Sequence, residues 1–137
     1  MCYNVPMRTL LLILLTCLFF HPTTVAQTDA PTLPSVTNFE CPKYPSNAES
    51  MRLQGMVRMQ VTTDGHKVVD VKLSPAHPVL AQAAEKNVRT WKFADHTPTS
   101  FTVTYFYVSE GNYKRDPVTK CSAKMELPTK VTVSTKF

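Results

Sequence analysis

The chain has 137 residues, with 15 basic and 10 acidic side chains and a formal net charge of +5 at pH 7. The basic residues after the N-terminal region are spread evenly, and only Lys114 and Arg115 are adjacent. A nucleic-acid-binding protein of this size would cluster its basic residues in a patch or stripe. The even spacing therefore excludes a nucleic-acid partner and indicates an ordinary solvated surface.

The N-terminal 26 residues differ in composition from the rest. They contain one basic residue, Arg8, no acidic residue, and the apolar run LLLILLTCLFF from Leu10 to Phe20. This run is well short of the roughly 20 residues that cross a bilayer. We predict a signal peptide over residues 1–26, cut after Ala26, with a short uncleaved anchor as the alternative. Cleavage leaves 111 exported residues, which is room for one small domain.

The cysteines favour a disulfide. Two of the four, Cys2 and Cys17, lie within the predicted signal peptide. Cys41 and Cys121 remain, and an even pair in an exported domain is typically oxidised. Because 80 residues separate them, the bond would stabilise the fold by about 4 kcal/mol in the chain-entropy description.

The segment after the predicted cleavage site begins with residues 27–42, QTDAPTLPSVTNFECP, which contain three prolines and no apolar period. We predict an extended leader here. Pro45 then opens a predicted short helix that ends at Gly55. Its apolar side consists of Ala48, Met51 and Leu53.

A β-hairpin is the clearest pattern in the chain. Apolar and polar residues alternate in two runs, which flank the dipeptide Asp64-Gly65. Such a dipeptide supports the positive φ values of a tight hairpin turn. We expect the apolar members of the two runs to share one buried face: Val57, Met59, Val61, Val69, Val71 and Leu73.

From Pro78 the period changes to that of a helix. Leu80, Ala84, Val88 and Trp91 follow one another at helical spacings, which places them on one face. We expect this helix to cross the hairpin, with Trp91 as the largest core residue. Residues 101–108, FTVTYFYV, are rich in β-branched and aromatic side chains and predict a third strand.

The remaining sequence predicts a loop around Gly111 to Pro117 and a final hairpin. Two short extended runs are separated by Pro128, and Val131, Val133 and Phe137 alternate with polar residues in the second. The predicted fold class is therefore α+β. An antiparallel sheet of three core strands, in the order helix-strand-strand-helix-strand, carries helices on one face and gains a C-terminal β-hairpin.

The sequence predicts no catalytic residue, no metal site and no cofactor. His66, His77 and His96 fall in loops without the spacing of metal ligands, and no Gly-rich phosphate loop or GxSxG motif is present. Asp95 adjoins His96, but neighbouring side chains rarely face each other. An enzyme or metal protein built on the histidines is the alternative, and no spaced cluster supports it.

A set of landmarks resembles a known family. In order, they are Tyr44-Pro45, Ala48, Gly55, Val57, Asp64-Gly65, Val68, Val71, Pro78-Val79-Leu80, Ala83-Ala84 and Trp91-Lys92-Phe93. Their order and spacing resemble the C-terminal domain of the TonB energy-transducer family over about residues 42–108. We therefore divide the chain into the signal peptide, the leader, a domain at 43–110 and a C-terminal extension at 111–137.

The resemblance implies a small domain of the Gram-negative periplasm without catalytic residues. Transducers of this family pair an exposed strand edge with a peptide of an outer-membrane transporter, which is β-augmentation. By this analogy the third strand carries the partner edge, and the candidate residues are Phe101, Val103, Tyr105 and Tyr107. A homodimer by strand exchange is a further option for such a fold.

Two hypotheses about function follow. The first is a periplasmic, non-enzymatic module that binds an envelope protein, since residues 10–20 are too short for the family's membrane helix and residues 27–42 reach at most about 50 Å. The alternative is a true energy transducer that couples a transporter peptide to the inner-membrane motor. The extension bears on the choice, because a strand folded beside the third strand would occupy the edge that a transporter peptide needs.

Overall fold

A five-stranded sheet forms the centre of the fold. The structure, a computed structural model, describes residues 32–110 and 121–137, which belong to the unit Thr32–Phe137. The predicted signal peptide and the predicted loop around Gly111 to Pro117 lie outside the described residues.

The strands and helices of the described residues are β1 (Val36–Asn38), α1 (Ser46–Ser50), β2 (Gly55–Thr63), β3 (Val68–Leu73), α2 (Pro78–Val88), β4 (Lys92–Phe93), β5 (Thr99–Ser109), β6 (Ala123–Glu126) and β7 (Lys130–Thr135). The large sheet has the order β3-β2-β5-β7-β6, and β1 pairs with β4 in a separate two-stranded sheet. The predicted α+β class and the C-terminal hairpin are confirmed. One pairing differs from expectation, because β7 lies parallel to β5 and makes the sheet mixed.

The predicted hairpin is confirmed as β2 and β3. The Asp64 carboxylate accepts hydrogen bonds from the amides of His66 and Lys67, at 2.9 and 3.0 Å. Gly65 has a φ of 105°, and a Cβ atom there would lie 2.6 Å from the carbonyl oxygen of His96. Glycine is therefore required both by the turn and by the loop packed against it.

The expectation of a fully buried apolar face on β3 is wrong. Val69 is 49% exposed and Leu73 is 41% exposed, while Val71 is half-buried. Two features cause this: β3 is the last strand of the sheet, and the pairing shifts at a bulge opposite Thr62 and Thr63. The bulge breaks the alternation, so that Val68 is buried instead.

The predicted end of the first helix is also wrong. α1 follows Pro45 and ends at Ser50, because Arg52 adopts a φ of 52° and turns the chain two residues later. Ala48 is fully buried as expected, whereas Met51 is 57% exposed. Gly55 does not end the helix but begins β2.

The second helix and the core follow the predicted pattern. His77 caps α2, and Pro78 occupies its first turn, where the absent amide hydrogen costs nothing. Leu80, Ala84 and Val88 are buried, and Trp91, three residues beyond the helix, is completely buried.

Candidate functional site: the edges of the sheet

The four residues that the resemblance singled out lie on β5, in the core. Phe101, Val103, Tyr105 and Tyr107 alternate toward the buried face and are at most 7% exposed. Their side chains therefore stabilise the fold, and only the backbone of β5 could pair with a partner. Their role in partner binding stays a prediction.

The outer edge of β5 carries the chain's own C-terminal strand. β7 pairs with β5 in parallel from Thr104 opposite Lys130 to Ser109 opposite Thr135. The amide of Thr104 donates to the Thr129 carbonyl at 2.9 Å, and that of Glu110 donates to the Thr135 carbonyl at 3.0 Å. Along this half of the strand, the edge is occupied.

A disulfide ties the extension to the leader. Cys41 and Cys121 are bonded, with their Cα atoms 5.3 Å apart, which confirms the predicted pairing. Cys121 is buried and lies two residues before β6. The covalent link therefore holds the hairpin of β6 and β7 beside the domain.

Aromatic rings add contacts between the segment just before α1, β5 and the C-terminus. The Tyr44 ring meets the ring of Tyr107 edge-on at 5.4 Å and that of Phe137 at 5.9 Å. The Thr135 hydroxyl donates to the Glu49 carboxylate on α1. Burial raises the pKa of the Tyr107 phenol, and the neighbouring Tyr44 adds to this. Burial, with a further contribution from Glu49, also raises the pKa of Tyr44.

Asn87 is a structural residue that the sequence analysis missed. Its side-chain nitrogen donates to the Glu40 carbonyl, and its side-chain oxygen accepts from the Tyr105 hydroxyl, both at 2.8 Å. Asn87, on α2, therefore connects the leader at Glu40 to the sheet at Tyr105. The signal was present, since Asn87 lies seven residues after Leu80 and three after Ala84, within the apolar stripe of α2.

Two strands end the five-stranded sheet, and they differ in character. β6 has four residues, and its Lys124 and Glu126 form an ion pair at 3.1 Å. A hydrogen bond from Lys124, together with the charge of Lys130, lowers the pKa of the Glu126 carboxyl. β3 is longer and presents the exposed Val69 and Leu73.

A groove borders the open edge of β3. It lies between this strand and α2, and its lining residues are Leu73, Pro78, Val79, Ala81, Gln82 and Glu85. The Glu85 carboxylate is already paired with Arg89 at 2.7 Å. The groove therefore presents a largely apolar surface with no unpaired charge.

The histidines make local contacts. Nδ1 of His66 lies 2.9 Å from a carboxylate oxygen of Asp95, so Asp95, in the loop after β4, pairs with the hairpin turn rather than with its neighbour His96. Nδ1 of His96 lies 2.8 Å from the Ala94 carbonyl and must donate to it. In the neutral ring, Nε2 then accepts from the Thr63 hydroxyl at 2.6 Å.

Metal ligands and membrane-spanning helices were sought within residues 32–110 and 121–137, which the structure describes. In these ranges no three or more His, Cys, Asp or Glu side chains are grouped so that they could hold a metal ion. None of the helices there is both long enough and apolar enough to cross a membrane.

Several landmark residues of the family resemblance lie where secondary-structure elements contact each other. Gly55 pairs with Tyr107, and a Cβ on this glycine would lie 3.2 Å from Leu80. Phe93 contacts the ring of Trp91 at 6.4 Å and that of Phe101 at 6.0 Å. Gly55 therefore lies where β2 meets β5 and α2, and Phe93 lies where β4 meets β5.

The family comparison agrees with this geometry. A search of curated proteins returned no match. The family described as Gram-negative bacterial TonB protein C-terminal matches residues 40–108, about half of the chain. The match runs from the leader, one residue before Cys41, to near the end of β5, and stops before the extension. The family is one of non-enzymatic protein-interaction modules of the envelope. The chain belongs to the TonB C-terminal domain family.

Proposed function

We propose that the protein is an exported, non-enzymatic binding module of the periplasm, which recognises another envelope protein and does not offer the β5 edge to a transporter. The observation that carries this proposal is the pairing of β7 with β5 from Thr104 to Ser109. The family's transducers would need that edge for a transporter peptide.

Displacing β7 from β5 would remove stabilising interactions, and an incoming peptide would have to make equivalent ones. A peptide could restore the backbone hydrogen bonds, but Val131 and Val133 of β7 are completely or almost completely buried. Exposing a side chain of this size costs about 1.5–3 kcal/mol. A competing peptide would therefore have to supply matching apolar side chains as well as a backbone.

The disulfide adds an advantage of proximity. Because Cys121 is bonded to Cys41, the β6–β7 hairpin stays near β5 even when its strand pairing opens. A tethered segment acts at an effective concentration of order millimolar, which a dilute peptide must exceed. This supports an edge that is permanently occupied in the oxidising periplasm.

The alternative, a true energy transducer, would require one of two arrangements. Either β7 dissociates from β5, or the transporter peptide pairs only with the N-terminal half of β5, which β7 does not cover. Over Thr99–Val103, no strand of the described chain pairs with the outer side of β5. Five residues give a short site beside the end of β7.

Two further expectations from the sequence stay predictions. One is the division of the chain into signal peptide, leader, domain and extension, and the other is a dimer formed by strand exchange.

A binding experiment separates the two functions. N-terminal peptides of outer-membrane transporters from the same bacterium are titrated into the full chain and into a Val131→Asp/Val133→Asp variant, with Val69→Asp as the control on an exposed position. We expect binding only to the variant with the loosened β7, after circular dichroism has checked that all three are folded. Equal and tight binding by the unaltered chain would support the transducer instead.

Fractionation tests the location. We expect the protein in the periplasm, with a mature N-terminus at Gln27. An intact N-terminus in the inner membrane would contradict the export step.

A further inference from the structure

We propose that β3 is the interface of a two-fold symmetric dimer, in which two copies of the chain join their large sheets edge to edge. This dimer uses strand addition without exchange of any segment. It is independent of whether β5 meets a transporter, because β3 lies at the opposite end of the β3-β2-β5 segment.

The backbone of β3 has hydrogen-bonding groups directed away from the sheet. The Ser74 amide donates to the Arg58 carbonyl of β2 at 2.9 Å. Alternate residues of a strand direct their backbone groups to opposite sides, so Asp70 and Lys72 also face β2. Val71 and Leu73 direct theirs outward, where no strand of the described chain pairs with them.

The sequence of this edge is complementary to itself. The segment Val69 to Leu73 reads VDVKL. In an antiparallel pair centred on Val71, Asp70 of each copy lies opposite Lys72 of the other, and Val69 lies opposite Leu73. Asp70 and Lys72 share one face, because they pair with Thr62 and Gln60 of β2. Opposite charges and apolar residues placed directly across two strands stabilise their pairing.

The exposure of the edge supports a second copy as the occupant. Exposed strands with apolar side chains invite aggregation, and proteins usually protect them. β6, at the other end of the sheet, is protected by being short and by the charged Lys124 and Glu126. β3 leaves Val69 and Leu73 about half exposed, and pairing with a second β3 would cover both.

The helices are compatible with this arrangement. α2 packs against both β2 and β3. Paired strands lie about 4.8 Å apart, so two helices centred between β2 and β3 of their own copies would lie about 10 Å apart. That is a normal distance for packed helices. The groove formed by Leu73, Pro78, Val79, Ala81, Gln82 and Glu85 would then lie at the helix contact.

A cysteine experiment tests the register. In a Cys2→Ser/Cys17→Ser background, Val71→Cys places two thiols on the symmetry axis, with Cα atoms about 5.5 Å apart, which a disulfide can bridge. Leu73→Cys is the matched control, because its two copies would lie about 14 Å apart. We expect a covalent dimer on mild oxidation of the Val71→Cys variant alone. Any other pattern overturns the register.

A charge exchange tests the complementarity. Asp70→Lys or Lys72→Asp places like charges opposite each other twice, and we expect the dimer dissociation constant to rise about tenfold in sedimentation velocity. The double variant Asp70→Lys/Lys72→Asp restores opposite charges and should return the constant to that of the unaltered chain. Glu126→Lys on β6 should leave it unchanged. A chain that is monomeric at every concentration, or a double variant as weak as the single ones, overturns the proposal.

Discussion

The two strands that flank β2, namely β3 and β5, differ in whether a further strand covers their outer edge. β3 ends the sheet and presents Val69 and Leu73 to solvent, whereas β5 is covered along Thr104–Ser109 by β7. Both strands lie within or close to the family segment, but only residues beyond it make the difference. The comparison teaches that a short extension can decide which edge of a sheet remains available to a partner.

The covering of β5 combines three different interactions. The disulfide restricts the unfolded chain, Val131 and Val133 bury apolar surface, and the ladder satisfies backbone groups. The edge of β3 has only charges and exposed apolar side chains. If these interactions hold the covered edge, changes that weaken β7 should affect the fold more than equivalent changes on β3.

Removal of the disulfide should have the largest effect. Cys41→Ser/Cys121→Ser opens a loop of 80 residues, and we expect the free energy of unfolding to fall by about 4 kcal/mol in urea denaturation. Hydrogen exchange should rise most at the amides of Thr104, Phe106 and Val108, which face β7, and least at those of β3. Uniform acceleration of all strands would show that the extension does not protect β5 selectively.

Equivalent substitutions on the two edges should differ in cost. Val131→Ala removes two methyl groups from a completely buried side chain, and we expect a loss of about 2 kcal/mol. Val69→Ala removes the same groups from a side chain that is 49% exposed, and the loss should be under about 0.5 kcal/mol. Chemical denaturation measures both. Equal losses would mean that β7 is not packed more tightly than the open edge.

Alkaline pH should weaken the buried side of β5. Burial raises the pKa of both Tyr105 and Tyr107, so the folded state holds their protons when the unfolded state has lost them. Their contribution is present below about pH 10 and is lost as pH rises above it. Tyr105→Phe should flatten this loss, and should cost about 1 kcal/mol at neutral pH because the side-chain oxygen of Asn87 loses its donor.

Tyr107 lies on the part of β5 that β7 covers, and its variant Tyr107→Phe allows the same measurement of unfolding free energy against pH. It should flatten the alkaline loss as well. An unchanged pH profile in both variants would contradict the assignment of the effect to these phenols.

The smallest effects concern the two hairpins at acid pH. Two backbone amides lower the pKa of Asp64, and Lys124 and Lys130 lower that of Glu126. Both carboxylates contribute stability above their unfolded pKa, and this is lost as pH falls through the folded value. Asp64→Ala should lower the melting temperature more than Glu126→Ala, because an exposed ion pair contributes little. The reverse order would contradict this account.

Much of the fold could be predicted from local patterns. The alternation around Asp64-Gly65 predicted β2 and β3, and the spacing of Leu80, Ala84 and Val88 predicted α2, because strand and helix periods are properties of neighbouring residues. The disulfide could be predicted because one cysteine pair remained outside the predicted signal peptide. The exposure of Val69 and Leu73 could not, since whether a strand lies at an edge depends on distant segments.

The candidate site was the part that the sequence determined least. By itself, the sequence determined β2, β3, α2 and β5 and the apolar face of α2. It also determined the family, through the order of landmarks from Tyr44 to Phe93. Only the tertiary structure decided that β7 lies parallel to β5, and that Asp95 pairs with His66 instead of His96. The physical reason is that strand pairing uses backbone groups common to all residues, so the choice of neighbour follows from which apolar surfaces the whole chain can bury together.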